Sequence, residues 1–174
     1  MLRRSTEMAY RNKTYIAFDG DRDINYYRLM QAWKQNDHSS FNFHDAHNVR
    51  SARDSSLEST IKAALRERMA SAKAFVLLVG SNTRYLYKFV RWEIDLAMSK
   101  GIPIIVVNIN GERHLDTERC PPVLRDQLAV HVSFNAKILE HSLENWVSYL
   151  EGENSKTAKG PHFYSEAIYS NLGL

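Results

Sequence analysis

The sequence predicts an α/β domain built on a five-stranded parallel sheet, and two observations carry that prediction. Five short β-prone runs, residues 14–18, 41–44, 74–79, 102–109 and 129–134, alternate with stretches whose apolar residues recur at helical spacing. The runs Phe75-Val76-Leu77-Leu78-Val79 and Ile104-Ile105-Val106-Val107 lack the period-two alternation of a half-exposed strand, so they belong in the middle of a sheet covered on both faces. Strands joined by helices of this length run parallel, through right-handed crossovers.

The helices follow in order. After the first strand, Tyr26, Leu29, Met30 and Trp33 form one apolar stripe. A second stripe, Leu57, Ile61, Leu65 and Met69, opens behind Ser55 and Ser56 as caps, with Glu58 placed to favour the positive end of the helix dipole. The third helix carries Val90, Ile94 and Ala97 and closes at Gly101. The fourth, with Leu139, Leu143, Trp146, Val147 and Leu150, is the most clearly amphipathic. These elements divide the chain into an N-terminal extension (1–12), a domain (13–150) and a C-terminal tail (151–174). The tail is polar over 151–160 and regains aromatic residues at Phe163, Tyr164 and Tyr169, without indicating where it docks.

Composition narrows the class of function. With 174 residues, 44% of them hydrophobic and 25% charged, the chain matches one ordinary globular domain. Cys120 is the only cysteine, which excludes an internal disulfide and a cysteine-paired zinc site and suits a reducing compartment. The basic start lacks the apolar core of a signal peptide, and no apolar stretch approaches the roughly 20 residues of a membrane span, so a cytoplasmic protein without membrane contact is expected. The net charge of +3 is scattered among acidic neighbours, which argues against nucleic acid but suits an anionic small ligand.

Parallel sheets of this kind bind ligands beyond the carboxyl ends of their strands, where strand order reverses. At the end of the first strand stands Phe18-Asp19-Gly20-Asp21-Arg22-Asp23, which reads equally as a helix-capping turn or as a ligand contact. It is no calcium loop, because Ile24 and Met30 occupy the places of the required Gly and Glu. The second strand ends in His44-Asp45-Ala46-His47, too few ligands for a metal; Asp45 caps the loop or lines a pocket. The third runs into Gly80-Ser81-Asn82-Thr83-Arg84, suited to ribose hydroxyls or phosphate and equally to a plain turn. Beyond it, Tyr85, Tyr87, Phe89 and Trp92 surround one carboxylate, Glu93, which shares a helix face with Phe89 and Leu96. Desolvation there raises a carboxyl pKa. A structural salt bridge to Arg84 or Arg91 explains Glu93 as well as catalysis does.

The segment 13–150 resembles the TIR-like domain family, and within it the TIR-like proteins of Thoeris anti-phage systems. The likeness rests on Tyr15-Ile16-Ala17-Phe18-Asp19, Phe41-Asn42-Phe43-His44-Asp45, Val79-Gly80-Ser81-Asn82-Thr83, Val90-Arg91-Trp92-Glu93-Ile94 and Gly101-Ile102-Pro103-Ile104-Ile105. It departs from many TIR domains in placing Phe89-Val90 where they have Trp-Cys, and in lacking a proline in the loop after the second strand. The resemblance implies a flavodoxin-like fold, NAD as substrate rather than cofactor, Glu93 as the catalytic residue, and a cyclic ADP-ribose isomer sent to a separate effector protein. Phe18, Asp19, Asp45, Asn82 and Trp92 are the expected substrate-binding residues, with no metal. Homo-oligomerisation stays open.

The chemistry fits that implication. Nicotinamide leaves NAD as a neutral group from a cationic one, so it needs no protonation, and the barrier lies in an oxocarbenium-like ribose that one carboxylate can stabilise. Water as acceptor gives ADP-ribose; an internal acceptor gives a cyclic isomer. The alternatives are a nucleoside deoxyribosyltransferase-like enzyme and a non-catalytic TIR-like interaction module. A response-regulator receiver is excluded, because Val79-Gly80 stands where its phospho-acceptor Asp would be.

Overall fold

The computed structural model describes residues 12–36, 44–45 and 57–174. Strands β1 (Lys13–Ala17), β2 (His44–Asp45), β3 (Ala74–Val79), β4 (Ile104–Asn108), β5 (Ala129–Ser133) and β6 (Pro161–Phe163) form one sheet in the order β2-β1-β3-β4-β5-β6. Every pairing is parallel. The five predicted strands are therefore joined by a sixth, supplied by the tail. Three residues led by a proline give too short a pattern to read as a strand, and β6 forms because β5 offers it an edge. The part of the second predicted strand at 41–43 and the caps Ser55 and Ser56 lie outside the described residues.

Helices α1 (Ile24–Gln35), α2 (Glu58–Met69), α3 (Phe89–Ser99), α4 (Ala136–Glu151) and α5 (Glu166–Asn171) cover the sheet. One face packs Ile16, Phe18, Val76, Leu78, Val107 and Val132 against Tyr27 and Met30 of α1, Leu139, Leu143 and Trp146 of α4, and Tyr169 of α5. The other packs Tyr15, Ala17, Phe75, Leu77 and Val106 against Leu65 and Met69 of α2 and Val90, Ile94 and Ala97 of α3. All six residues of β3 and all five of β4 are buried, as unbroken apolar runs require.

The face of α1 differs from the predicted stripe. Tyr27 and Met30 are buried, whereas Tyr26 and Leu29 are exposed. Two overlapping apolar spacings compete on this helix, and stacking of Tyr27 on Phe18, at 4.7 Å between ring centroids, decides for the one containing Tyr27. In α2, Leu65 and Met69 face the core as predicted, but Leu57 stands at the cap position and is exposed. The third helix ends as its sequence prescribes. Gly101 takes φ +64°, and the Gly101 and Ile102 amides donate to the carbonyls of Met98 and Ala97. Asn135 caps α4, accepting from the Lys137 amide at 2.8 Å.

Candidate functional site

Strand order reverses between β1 and β3, which places the crevice of a parallel sheet at the carboxyl ends of those two strands. Beyond β1 the chain turns tightly. The Asp23 amide donates to the Asp19 carbonyl at 2.8 Å, and Asp19 Oδ1 accepts from the amides of Asp21 and Arg22 at 3.1 and 3.3 Å. Asn82, beyond β3, donates its side-chain amide to Asp19 Oδ2 at 3.0 Å. The structure thus brings Asp19 and Asn82 together across the crevice. Thr83, fully buried, accepts from the Gly80 amide at 2.8 Å and holds the turn that carries Asn82.

Glu93 enters from α3. With Val90, Ile94 and Ala97 it forms the buried face of that helix, and only 4% of it is exposed. The hydroxyl of Tyr15, a fully buried residue of β1 stacked on Phe75, donates to Glu93 Oε1. Among the described residues no ion pair includes Glu93: Arg91 pairs with Asp95, and Arg84 donates to the carbonyl of Glu118. Burial pushes the Glu93 carboxyl up to about 7, against the opposing pull of the Tyr15 hydrogen bond. A carboxyl group held there without a cation is half ionised near neutrality.

The remaining candidates are dispersed. Phe18 is 7% exposed and stacks on Tyr27 on the α1 side of the sheet, the face opposite to Glu93. Trp92, adjacent to Glu93 but about 100° away around the helix, lines a surface groove of about 360 Å³ with Glu58, Lys62, Tyr87, Lys88, Arg91 and Asp95. Lys62 and Arg66 lie 5.8 and 5.4 Å from its ring. Asp45 belongs to β2, with its backbone in register with Thr14, and its side chain lies outside what the structure describes. Cys120 is buried, its thiol pushed up to about 12 and directed at the Pro121 carbonyl, which leaves it chemically inert.

Sequence reasoning missed one residue here and left another open. Tyr15 was legible only as a strand residue; alternation along β1 puts Tyr15 and Ala17 on the α3 face, but a contact 78 positions away is invisible in one sequence. Asp23 lay in the turn that read equally as a helix cap or as a ligand contact. It occupies the cap position of α1 without making a side-chain capping bond, and its carboxylate lies against Gly80 instead.

With this geometry in view, comparison with known proteins decides the family. The pattern defining the Thoeris protein ThsB, TIR-like domain family matches residues 15–114. The chain belongs to that family. The match spans β1 to the segment after β4 and so includes Asp19, Asn82, Trp92 and Glu93. A crystal structure of a conserved protein from Enterococcus faecalis V583 aligns over 94% of this chain and 98% of that one, with 17% identity and a TM-score of 0.39, too distant a likeness to bear on function.

Proposed function

We propose that this ThsB-like chain cleaves the nicotinamide–ribose bond of NAD, with Glu93 as the catalytic carboxylate. The observation that carries the reading is the state of Glu93 itself. A buried carboxyl group with a tyrosine hydroxyl as partner and, among the described residues, no cation paired with it is a poor structural device, since one neutral hydrogen bond only partly offsets its desolvation. It is a good device for opposing positive charge that appears during a reaction. As nicotinamide departs, the ribose becomes oxocarbenium-like, and a carboxylate in a low-dielectric setting stabilises it more strongly than one in water. Asp19 and Asn82 at the crevice and the Trp92 ring on the same helix as Glu93 are the groups we assign to holding the nucleotide, together with Phe18 and Asp45.

Within the same reading, the product is a cyclic ADP-ribose isomer, formed when an atom of the adenosine end attacks the ribose in place of water. It acts as a signal to a separate effector protein in anti-phage defence, in the cytoplasm. None of the described helices is long and apolar enough to cross a membrane.

The test is incubation of the protein with NAD, with nicotinamide release and the nucleotide product followed by chromatography and mass spectrometry. Glu93→Gln is expected to lower turnover roughly 100- to 1000-fold, the usual loss when one such stabilising group is removed. Turnover that survives in Glu93→Gln would refute the assignment.

A further inference from the structure

Asp23 is held in an arrangement that its place in the helix does not explain. It stands at the cap position immediately before α1, where a side-chain oxygen ordinarily accepts an amide of the first turn, yet it makes no such bond. Its carboxylate instead crosses the crevice to β3. A Cβ added to Gly80 would fall 2.7 Å from Asp23 Oδ1 and closer still to Oδ2, so the absence of a side chain at position 80 is what admits this carboxylate. Asp23 is 6% exposed, and its Oδ2 is fully buried with no hydrogen-bond partner among the described residues. The neighbouring Asp19 already accepts three hydrogen bonds, two amides on one oxygen and Asn82 on the other, whereas Asp23 Oδ2 accepts none from the described residues.

We propose that Asp23 is a binding residue of the crevice and accepts the vicinal hydroxyls of a ribose. The chemistry selects this class of ligand. Among the described residues Arg22 is the cation that favours the charged form of Asp23, and it is outweighed by burial and by the like charge of Asp19; no ion pair of the described residues includes Asp23. A neutral group with two adjacent hydroxyl donors matches a carboxylate without adding a charge beside it. The inference rests on the nucleotide reading of this site, but it concerns binding and needs no turnover.

The experiment is isothermal titration of the full chain with ADP-ribose and, separately, with nicotinamide, using wild type, Asp23→Ala and Gly80→Ala, with thermal melting of each. Gly80→Ala leaves Asp23 in the chain but drives its carboxylate out of place. Both variants are expected to bind ADP-ribose about tenfold to a hundredfold more weakly, the loss of hydrogen bonds to a charged acceptor, with nicotinamide binding unchanged. Asp23→Ala is expected to melt at or above the wild-type temperature at pH 8, because it removes a desolvated carboxylate that caps nothing. Wild type that fails to bind ADP-ribose, Asp23→Ala that binds it normally, or an equal loss for nicotinamide would each overturn the assignment. So would Asp23→Ala melting far below wild type, since that marks a structural role. Should NAD prove not to be cleaved, the binding result still decides the role of Asp23.

Discussion

Tyr15 sets the working range of Glu93. Its hydroxyl donates to the carboxylate and so favours the ionised form, while burial, the stronger influence, favours the neutral one. Because the carboxylate is the active form in the proposed reaction, kcat/KM for NAD is expected to rise with pH through about 7 and then level. Tyr15→Phe keeps the ring that stacks on Phe75 and removes only the donor. The midpoint of the kcat/KM profile is then expected to move upward, with activity at pH 7 falling further than activity at pH 9. An unchanged midpoint would show that the hydrogen bond has no influence on Glu93. The sequence made Glu93 legible because its neighbours at helical spacing are apolar. It could not choose between catalysis and a salt bridge to Arg84 or Arg91, since those arginines are close in sequence but turn to Glu118 and Asp95.

At the scale of elements, legibility followed burial on both faces. The runs of β3 and β4 admit no other reading, and β3 begins and ends at the residues its composition predicts. Where only one face is buried, several faces compete, and α1 chose Tyr27 over Tyr26 through a ring contact with β1. The C-terminal segment lies at the other extreme. Its strand β6 pairs with β5, and α5 behind it buries Tyr169 completely, with the Arg113 guanidinium 4.1 Å from the ring and the Ser133 amide donating to the hydroxyl at 3.3 Å. Arg113 also reaches Glu166 at 2.6 Å. Tyr169, with Tyr164, Ile168, Leu172 and Leu174 packed around the same cluster, thus joins the tail to the core face that α1 and α4 share. Tyr169→Ala is expected to cost about 3 to 5 kcal/mol, the range for truncating a buried aromatic ring, measured by urea unfolding. A loss below about 1 kcal/mol would mean that the tail is an appendage rather than part of the core.

At the scale of the whole molecule, strand order decides where chemistry is placed, and it is the property that a single sequence reveals least. Alternating strands and helices imply a parallel sheet, but the reversal between β1 and β3 comes from the crossover of β2 to the far side of β1. The same buried layers that position the site also couple stability to pH, through two groups with opposite effects. Glu93 has its pKa raised to about 7, so the folded state holds a proton that the unfolded state releases above the ordinary value of 4.5, and stability falls as pH rises between the two. His131, fully buried in β5 with neither ring nitrogen partnered among the described residues, is pushed down by burial to about 4. It therefore costs stability as pH falls from 6.5 to 4, because only the unfolded chain binds the proton. Each shift of about 2.5 units corresponds to about 3 kcal/mol. In a domain of this size that is roughly 6 to 12 °C in melting temperature. Melting curves of wild type, Glu93→Gln and His131→Leu between pH 4.5 and 8 separate the two effects. Glu93→Gln is expected to gain on wild type progressively up to pH 7 and to hold its lead above it, which is the signature of a group placed for reaction at the expense of stability. His131→Leu is expected to lead at pH 4.5 and to lose that lead by pH 6.5. Glu93→Gln that melts below wild type at pH 8 would mean that the carboxylate holds the fold together, and the case for a catalytic Glu93 would fail with it.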